Sequence, residues 1–211
     1  MKIIFTLLVS VFLGLSAQAQ DFPVKPIRIV VPYSPGGGTD TVARLMAAHI
    51  SNAFGQQVIV ENKAGASANI GTEFVAKAPA DGYTILVTAP NFTTSEALFD
   101  KLGWRFEDFI PLIHLVRYGN YLVAAPGTPF STLEQMIARA KSAPGALSFG
   151  SAGTGYNSHL AMELLAQRTS INVPHIPYKG SGPLKADLLG GHVPLGVDAV
   201  SYTHLRAHET P

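Results

Sequence analysis

The chain reads as an α/β protein of two lobes, and two observations carry that reading. Glycine-rich strand-to-helix turns occur twice, at Tyr33-Ser34-Pro35-Gly36-Gly37-Gly38-Thr39-Asp40 and at Gly150-Ser151-Ala152-Gly153-Thr154-Gly155-Tyr156. Around each turn, short apolar runs alternate with amphipathic stretches. That order implies parallel strands joined by helical crossovers, with ligand sites at the carboxyl ends of the strands. Each turn opens a helix, whose first N–H groups lack intrahelical acceptors and carry the positive end of the peptide dipoles. Glycine lets a ligand oxygen approach that backbone closely, so the pair reads as one anion site built twice.

The elements follow in order. Ile27–Val31 is an apolar, β-branched run and predicts a buried strand ending at Pro32 and the first turn. A helix starts at Thr39 or Asp40, with Val42, Leu45, Met46, His49, Ile50 and Ala53 at three- and four-residue spacing, and Gly55 stops it. That spacing places His49 on the buried stripe, as a core or boundary histidine. Val58–Val60 is a second strand, Asn69–Ala78 a helix, Pro79–Gly82 a turn and Tyr83–Thr88 a third strand followed by the turn Ala89–Thr93. The mixed polar and aromatic stretch from Phe99 to Ile110 marks the lobe crossing.

The second unit begins with a strand at Tyr121–Ala125 and a helix whose start is marked by Ser131 and Glu134 in capping-box spacing, with Leu133, Met136, Ile137 and Ala140 as its stripe. Leu147–Phe149 runs into the second glycine turn, and a helix from Asn157 to Gln167 leaves it. A strand at Val173–Ile176, the loop Pro177–Pro183, a helix to Leu189 and a strand at Val193–Val197 complete a second α/β lobe.

Composition narrows the function. Lys2, the apolar run Ile3–Leu15 and Ala17-Gln18-Ala19 form a secretory leader over residues 1–19, which predicts export with cleavage after about Ala19. The run is too short for a membrane helix of about 20 residues. The first lobe is then expected over 20–101 and the second over 102–200. Zero Cys excludes disulfides and thiolate metal sites, and 47% hydrophobic residues supply a core. A net charge of +1 with 14% charged residues leaves no electrostatic footprint for nucleic acid. An anion must therefore be held by local dipoles, and neither a cofactor nor a metal is expected. The last eleven residues, 201–211, break the preceding pattern and resemble read-through peptides, so a non-native tail is expected there.

Five motifs stand in register between Pro26 and Asp198: Val31 to Asp40, Val60-Glu61-Asn62-Lys63-Ala64-Gly65, Asp81-Gly82-Tyr83-Thr84, Ser151 to Gly155 with His159-Leu160, and Pro177-Tyr178-Lys179-Gly180 followed by Gly190-Gly191. Together they resemble the Bug-type periplasmic substrate-binding receptors of tripartite tricarboxylate transporters. The resemblance implies a two-lobed clamshell like other periplasmic binding proteins, closing on a small carboxylate: a di- or tricarboxylate, an aromatic acid or an amino acid. It also implies a monomer in the periplasm that hands its ligand to integral membrane subunits of the transporter. In the family the chain returns to complete the first lobe, and that return is missing before residue 200, so a truncated clamshell is expected. At Ser67-Ala68 the sequence departs from the glycine that relatives often carry.

The candidate ligand-binding residues follow from the turns and the resemblance together. In the first lobe they are Tyr33, to stack on or bound the ligand, the backbone of Gly36, Gly37 and Gly38, the Thr39 N–H and hydroxyl, Asp40, and the amide of Asn91. Asp40 reads as a cap or brace for its own helix, or as a contact to a ligand ammonium. In the second lobe they are Ser151 and Thr154 as hydroxyl donors, Gly153 and Gly155 for close approach, His159, which either reaches the cleft or packs on the sheet, Lys179 and Asp198. Lys179 either holds a second carboxylate or fixes its loop, and Asp198 suits a ligand amine.

An enzyme explains the same turns badly. The first lacks the Gly-Lys-Ser/Thr ending of a P-loop and the G-x-G-x-x-G of a dinucleotide fold, and neither Ser151 nor Ser158 sits in a G-x-S-x-G elbow. A receptor that presents its ligand to a membrane sensor kinase would use the same site and is the alternative reading.

Overall fold

The computed structural model describes residues 22–199. The expected leader over 1–19 and the expected tail over 201–211 lie outside the described residues. Two sheets organise the packing. The first has strand order β2-β1-β3, from β1 (Ile27–Val31), β2 (Val58–Asn62) and β3 (Thr84–Leu86), all parallel, with Ile29 opposite both Val60 and Ile85. Helix α1 (Gly38–Phe54) links β1 to β2, and α2 (Asn69–Ala76) links β2 to β3. The β-branched run of β1 occupies the centre of this sheet, and Ile29, Val30 and Val31 are almost wholly buried. Burial of each such side chain contributes about 1.5–3 kcal/mol.

Helix α1 ends as expected at Gly55, whose φ of 65° is left-handed and whose N–H donates to the Ser51 carbonyl at 3.0 Å. Its buried face differs from the expected stripe. Ala43 and Ala47 pack on the sheet, while Leu45 is 68% exposed and His49 is exposed, so His49 is not a core histidine. Close helix-to-sheet packing selects the small residues of the helix. A stripe chosen for its larger side chains therefore sits off the contact face.

Helix α3 (Asn91–Leu98), where only a turn was expected, leads into a long connector. Its Phe92 stacks on Trp104 with centroids 4.9 Å apart, and Phe109 meets Trp104 edge-on at 5.9 Å. Trp104 is buried, and its indole N–H donates to Asn69 Oδ1 at 3.1 Å.

The second sheet has order β4-β7-β5-β6, from β4 (Asn120–Ala124), β5 (Phe149–Ser151), β6 (His175–Pro177) and β7 (Leu195–Ala199). β5 is parallel to β6 and β7, but β4 runs antiparallel to β7, with Tyr121 opposite Asp198. Helix α4 (Leu133–Ser142) and helix α5 (Asn157–Thr169) give Met136, Ala140 and Met162 to one core with Phe149 and Leu195. Helix α6 (Ser181–Leu189) gives Leu184 and Leu188 to another with Val193.

The cap of α4 stands one residue later than the Ser131–Glu134 spacing suggests. Thr132 Oγ1 accepts from the Gln135 N–H, and Gln135 Oε1 accepts from the Ser131 N–H at 2.9 Å. Strands β5, β6 and β7 also begin about two residues after the apolar runs that announce them. Leu147, Val173 and Val193 are buried ahead of the ladders, and the pairing is carried on by Gly150, Ser151 and Gly196, which have no hydrophobic signature.

Candidate functional site

The two glycine turns meet. The phenol ring of Tyr33, which opens the first, lies edge-on to that of Tyr156, which closes the second, at 5.6 Å, and Ala152 and Tyr156 join the hydrophobic core of the first sheet. Pro32, Tyr33, Gly65, Ser67 and Ala68 on one side, and Ala152, Thr154, Pro177, Tyr178 and Lys179 on the other, line a cavity of about 190 Å³. Most of these residues lie just beyond the carboxyl end of a strand or at it, where open parallel sheets place ligands, and Gly65, Ser67 and Ala68 belong to the loop that leaves β2. The volume is below the ~300–1,000 Å³ of pockets for drug-sized molecules, so a small ligand fits this space.

Tyr33, Thr154 and Lys179, of the expected ligand residues, line this cavity. The others lie outside its lining. Asp40 is buried at the third position of α1 and accepts from the Gly36 N–H at 3.0 Å, from Arg44 Nε at 3.0 Å and from Asn62 Nδ2 at 2.9 Å. Its role is that of a brace across the turn. Burial pushes its carboxyl up, but the bonds from Arg44, Gly36 and Asn62 outweigh burial and hold it below the ordinary value. Asn62 also donates to the Tyr33 carbonyl at 3.0 Å, which ties both ends of the turn to one carboxylate. The Gly36 N–H is thereby engaged within the protein. Gly38 and Thr39 begin α1, and the Thr39 hydroxyl lies against the Tyr156 phenol.

Gly37 packs on the opposite lobe, where a Cβ would stand 3.5 Å from the Ser181 backbone N. The loop entering α6 therefore belongs to the site's frame. The Ser34 N–H donates to the Lys179 carbonyl at 2.8 Å, Lys185 Nζ donates to the Gly36 carbonyl at 3.3 Å, and a Cβ on Gly182 would stand 2.3 Å from the Pro35 carbonyl oxygen. Asn91 is buried behind Tyr33. It accepts from the Tyr33 phenol and donates to the Ser67 carbonyl at 2.9 Å. Burial pushes the Tyr33 phenol well above its ordinary pKa, so it stays a neutral donor.

The second turn is fixed without charge. Ser151 is fully buried, shares a 2.7 Å hydrogen bond with His175 Nε2, and accepts from the Gly153 N–H at 3.2 Å. His159 packs on the sheet. Its ring stacks on His175 at 4.0 Å, and Nδ1 accepts from the Gly155 N–H at 3.2 Å. Burial lowers His159, with Glu163 opposing, and burial together with His159 lowers His175 to about 4. Both rings are therefore neutral near pH 7. Gly153, with φ of 148°, lies beside the Tyr178 carbonyl. Asp198 is buried in β7; burial, opposed by the Tyr156 hydrogen bond and aided by the Asp198 charge, pushes the Tyr118 phenol up.

Sequence reasoning missed Ser67, Ala68 and Tyr178 as cavity residues, although Gly65 and the Pro177–Gly180 loop were already marked by their motifs. Among the described residues no group of three or more His, Asp or Glu is placed to hold a metal ion, and no helix is long and apolar enough to cross a membrane.

A family model described as the tripartite tricarboxylate transporter family receptor matches residues 42–206. The chain belongs to that family. The chain is 37% identical over 184 residues to Protein BugT of Bordetella pertussis, covering 86% of this chain and 56% of that protein. It resembles the solved structure of an R. palustris protein with adipate (TM-score 0.85, 36% identity, 90% of this chain and 64% of the other). It also resembles MatC from Rhodopseudomonas palustris with bound malate (TM-score 0.80, 32% identity, 88% and 65%). The family and these neighbours are solute-binding receptors. The chain spans little more than half the length of the curated relatives it matches.

Proposed function

We propose that this receptor binds a small organic acid between lobes 20–101 and 102–200 and delivers it to the integral membrane subunits of a tripartite tricarboxylate transporter. The observation that carries the reading is the convergence of two glycine turns, one from each sheet, on a single small cavity. In this reading the carboxylate oxygens are held by Thr154 and Lys179, which line the cavity, and by turn N–H groups not engaged by Asp40, Ser151 or His159, and the closing of the lobes completes the set. The acids named for the two structural neighbours, adipate and malate, support this ligand class. Export through the leader at residues 1–19 and a monomeric state belong to the same proposal.

The test is calorimetric titration of the purified receptor with malate, succinate, adipate, citrate, benzoate and glutamate, followed by mass analysis of the recovered acid. Saturable binding with the acid recovered unchanged supports a receptor. Turnover, or no binding across the panel, overturns it. Uptake of the bound acid, lost when the receptor gene is deleted, tests delivery.

A further inference from the structure

The first-lobe wall of the cavity holds an unusual backbone. Gly65, Ala66, Ser67 and Ala68 have φ values of 138°, 46°, 55° and 79°, so three side-chain-bearing residues in succession are left-handed. Only glycine adopts that region without a steric penalty, and such residues persist where their neighbours over-determine them, often at ligand clamps. The neighbours here do so. The Ser67 carbonyl accepts from Asn91 Nδ2 at 2.9 Å, and the Ala68 carbonyl accepts from the buried Thr72 hydroxyl at 2.9 Å. Asn91 is itself held by the Tyr33 phenol, so the wall is tied to the first turn. Ala66 is exposed, whereas Ser67 and Ala68 line the cavity.

We propose that Ser67 and Ala68 determine specificity, their Cβ groups narrowing the cleft to an unbranched aliphatic acid and excluding aromatic ones. This rests on the carboxylate reading above. Pro32, Ala152 and Pro177 give the cavity an apolar wall suited to a methylene chain, while Thr154 and Lys179 supply polar groups for a carboxylate. Glycine at both positions would suit the backbone better and leave the cleft wider. The two side chains are therefore kept at a conformational cost, and the space they remove is space for ligand.

The test compares the receptor with Ser67→Gly, Ala68→Gly and the double variant, titrated calorimetrically with succinate, adipate, benzoate and phenylacetate, with apo melting temperatures measured alongside. Expected are an unchanged or higher apo melting temperature and a rise of about tenfold or more in the affinity ratio of benzoate to adipate in the double variant. An unchanged ratio overturns the inference while leaving the carboxylate reading intact. A lowered apo melting temperature also overturns it, by assigning the two side chains to folding. No binding of any acid by the unaltered receptor overturns both.

Discussion

The two glycine turns perform one geometric task with opposite chemistry. The first is held by an ionised carboxylate, Asp40, balanced by Arg44 and Asn62. The second is held by a serine and two stacked neutral imidazoles, Ser151, His175 and His159. A carboxylate brace tightens as it ionises, whereas an imidazole that accepts a backbone N–H through Nδ1 fails when that nitrogen is protonated. The pair shows that presenting backbone donors demands a rigid turn but not a particular buttress. It also makes the two halves of the site separable by mutation and by pH.

The largest effect is expected at Phe149, fully buried beneath the second turn and stacked on His175 at 4.8 Å. Phe149→Ala should cost about 3–5 kcal/mol in urea unfolding, with the loss centred on the second lobe. Asp40→Ala releases Gly36, Asn62 and Arg44 together. Because Arg44 is half exposed, the expected cost is reduced to about 1–3 kcal/mol, and acid binding measured by calorimetry should weaken with it. Loss of binding with stability unchanged would separate the brace from the fold.

Gly182→Ala sharpens the comparison from the other side. Its Cβ would collide with the Pro35 carbonyl oxygen where the two lobes touch, so the apo melting temperature should fall and affinity for the bound acid should fall about tenfold or more. Retained affinity would show that this contact is dispensable for closing.

A pH effect is expected as well. His175 is lowered to about 4 from 6.5, so between those values the unfolded chain binds more protons than the folded one. Stability therefore rises with pH across that window and is lost as pH falls through 6.5 towards 4. Melting curves taken between pH 7.5 and 4.5 should show this decline, and His175→Gln should flatten it. The Asp40 brace should stay intact throughout, since it is lost only below the ordinary carboxylate range.

Much of this arrangement is legible in the sequence where the signal is local. The β-branched run of β1, the Gly55 stop and the position of both turns depend on neighbours along the chain, and the structure has them where the sequence places them. Partners distant in sequence were not legible. Gly37 looks like space for a ligand until Ser181 packs on it from the other lobe, whereas the partner of the Gly36 N–H, Asp40, is local and reads as a brace. Helix α3 has a polar sequence, and its anchor is the Phe92–Trp104 stack contributed from the connector. The antiparallel entry of β4 is set by its pairing with β7, some seventy residues later. The left-handed Ser67 and Ala68 carry no sequence signal beyond the departure from glycine, because their conformation is imposed by Asn91 and Thr72.

Trp104 is the sole tryptophan of the chain, and its indole N–H is anchored to Asn69, the residue that follows Ala68. Sandwiched against Phe92 and shielded from solvent, it gives the protein a built-in optical gauge one peptide bond away from the cleft wall. A shift in its emission on addition of an acid would report movement of that wall in real time, without any attached dye.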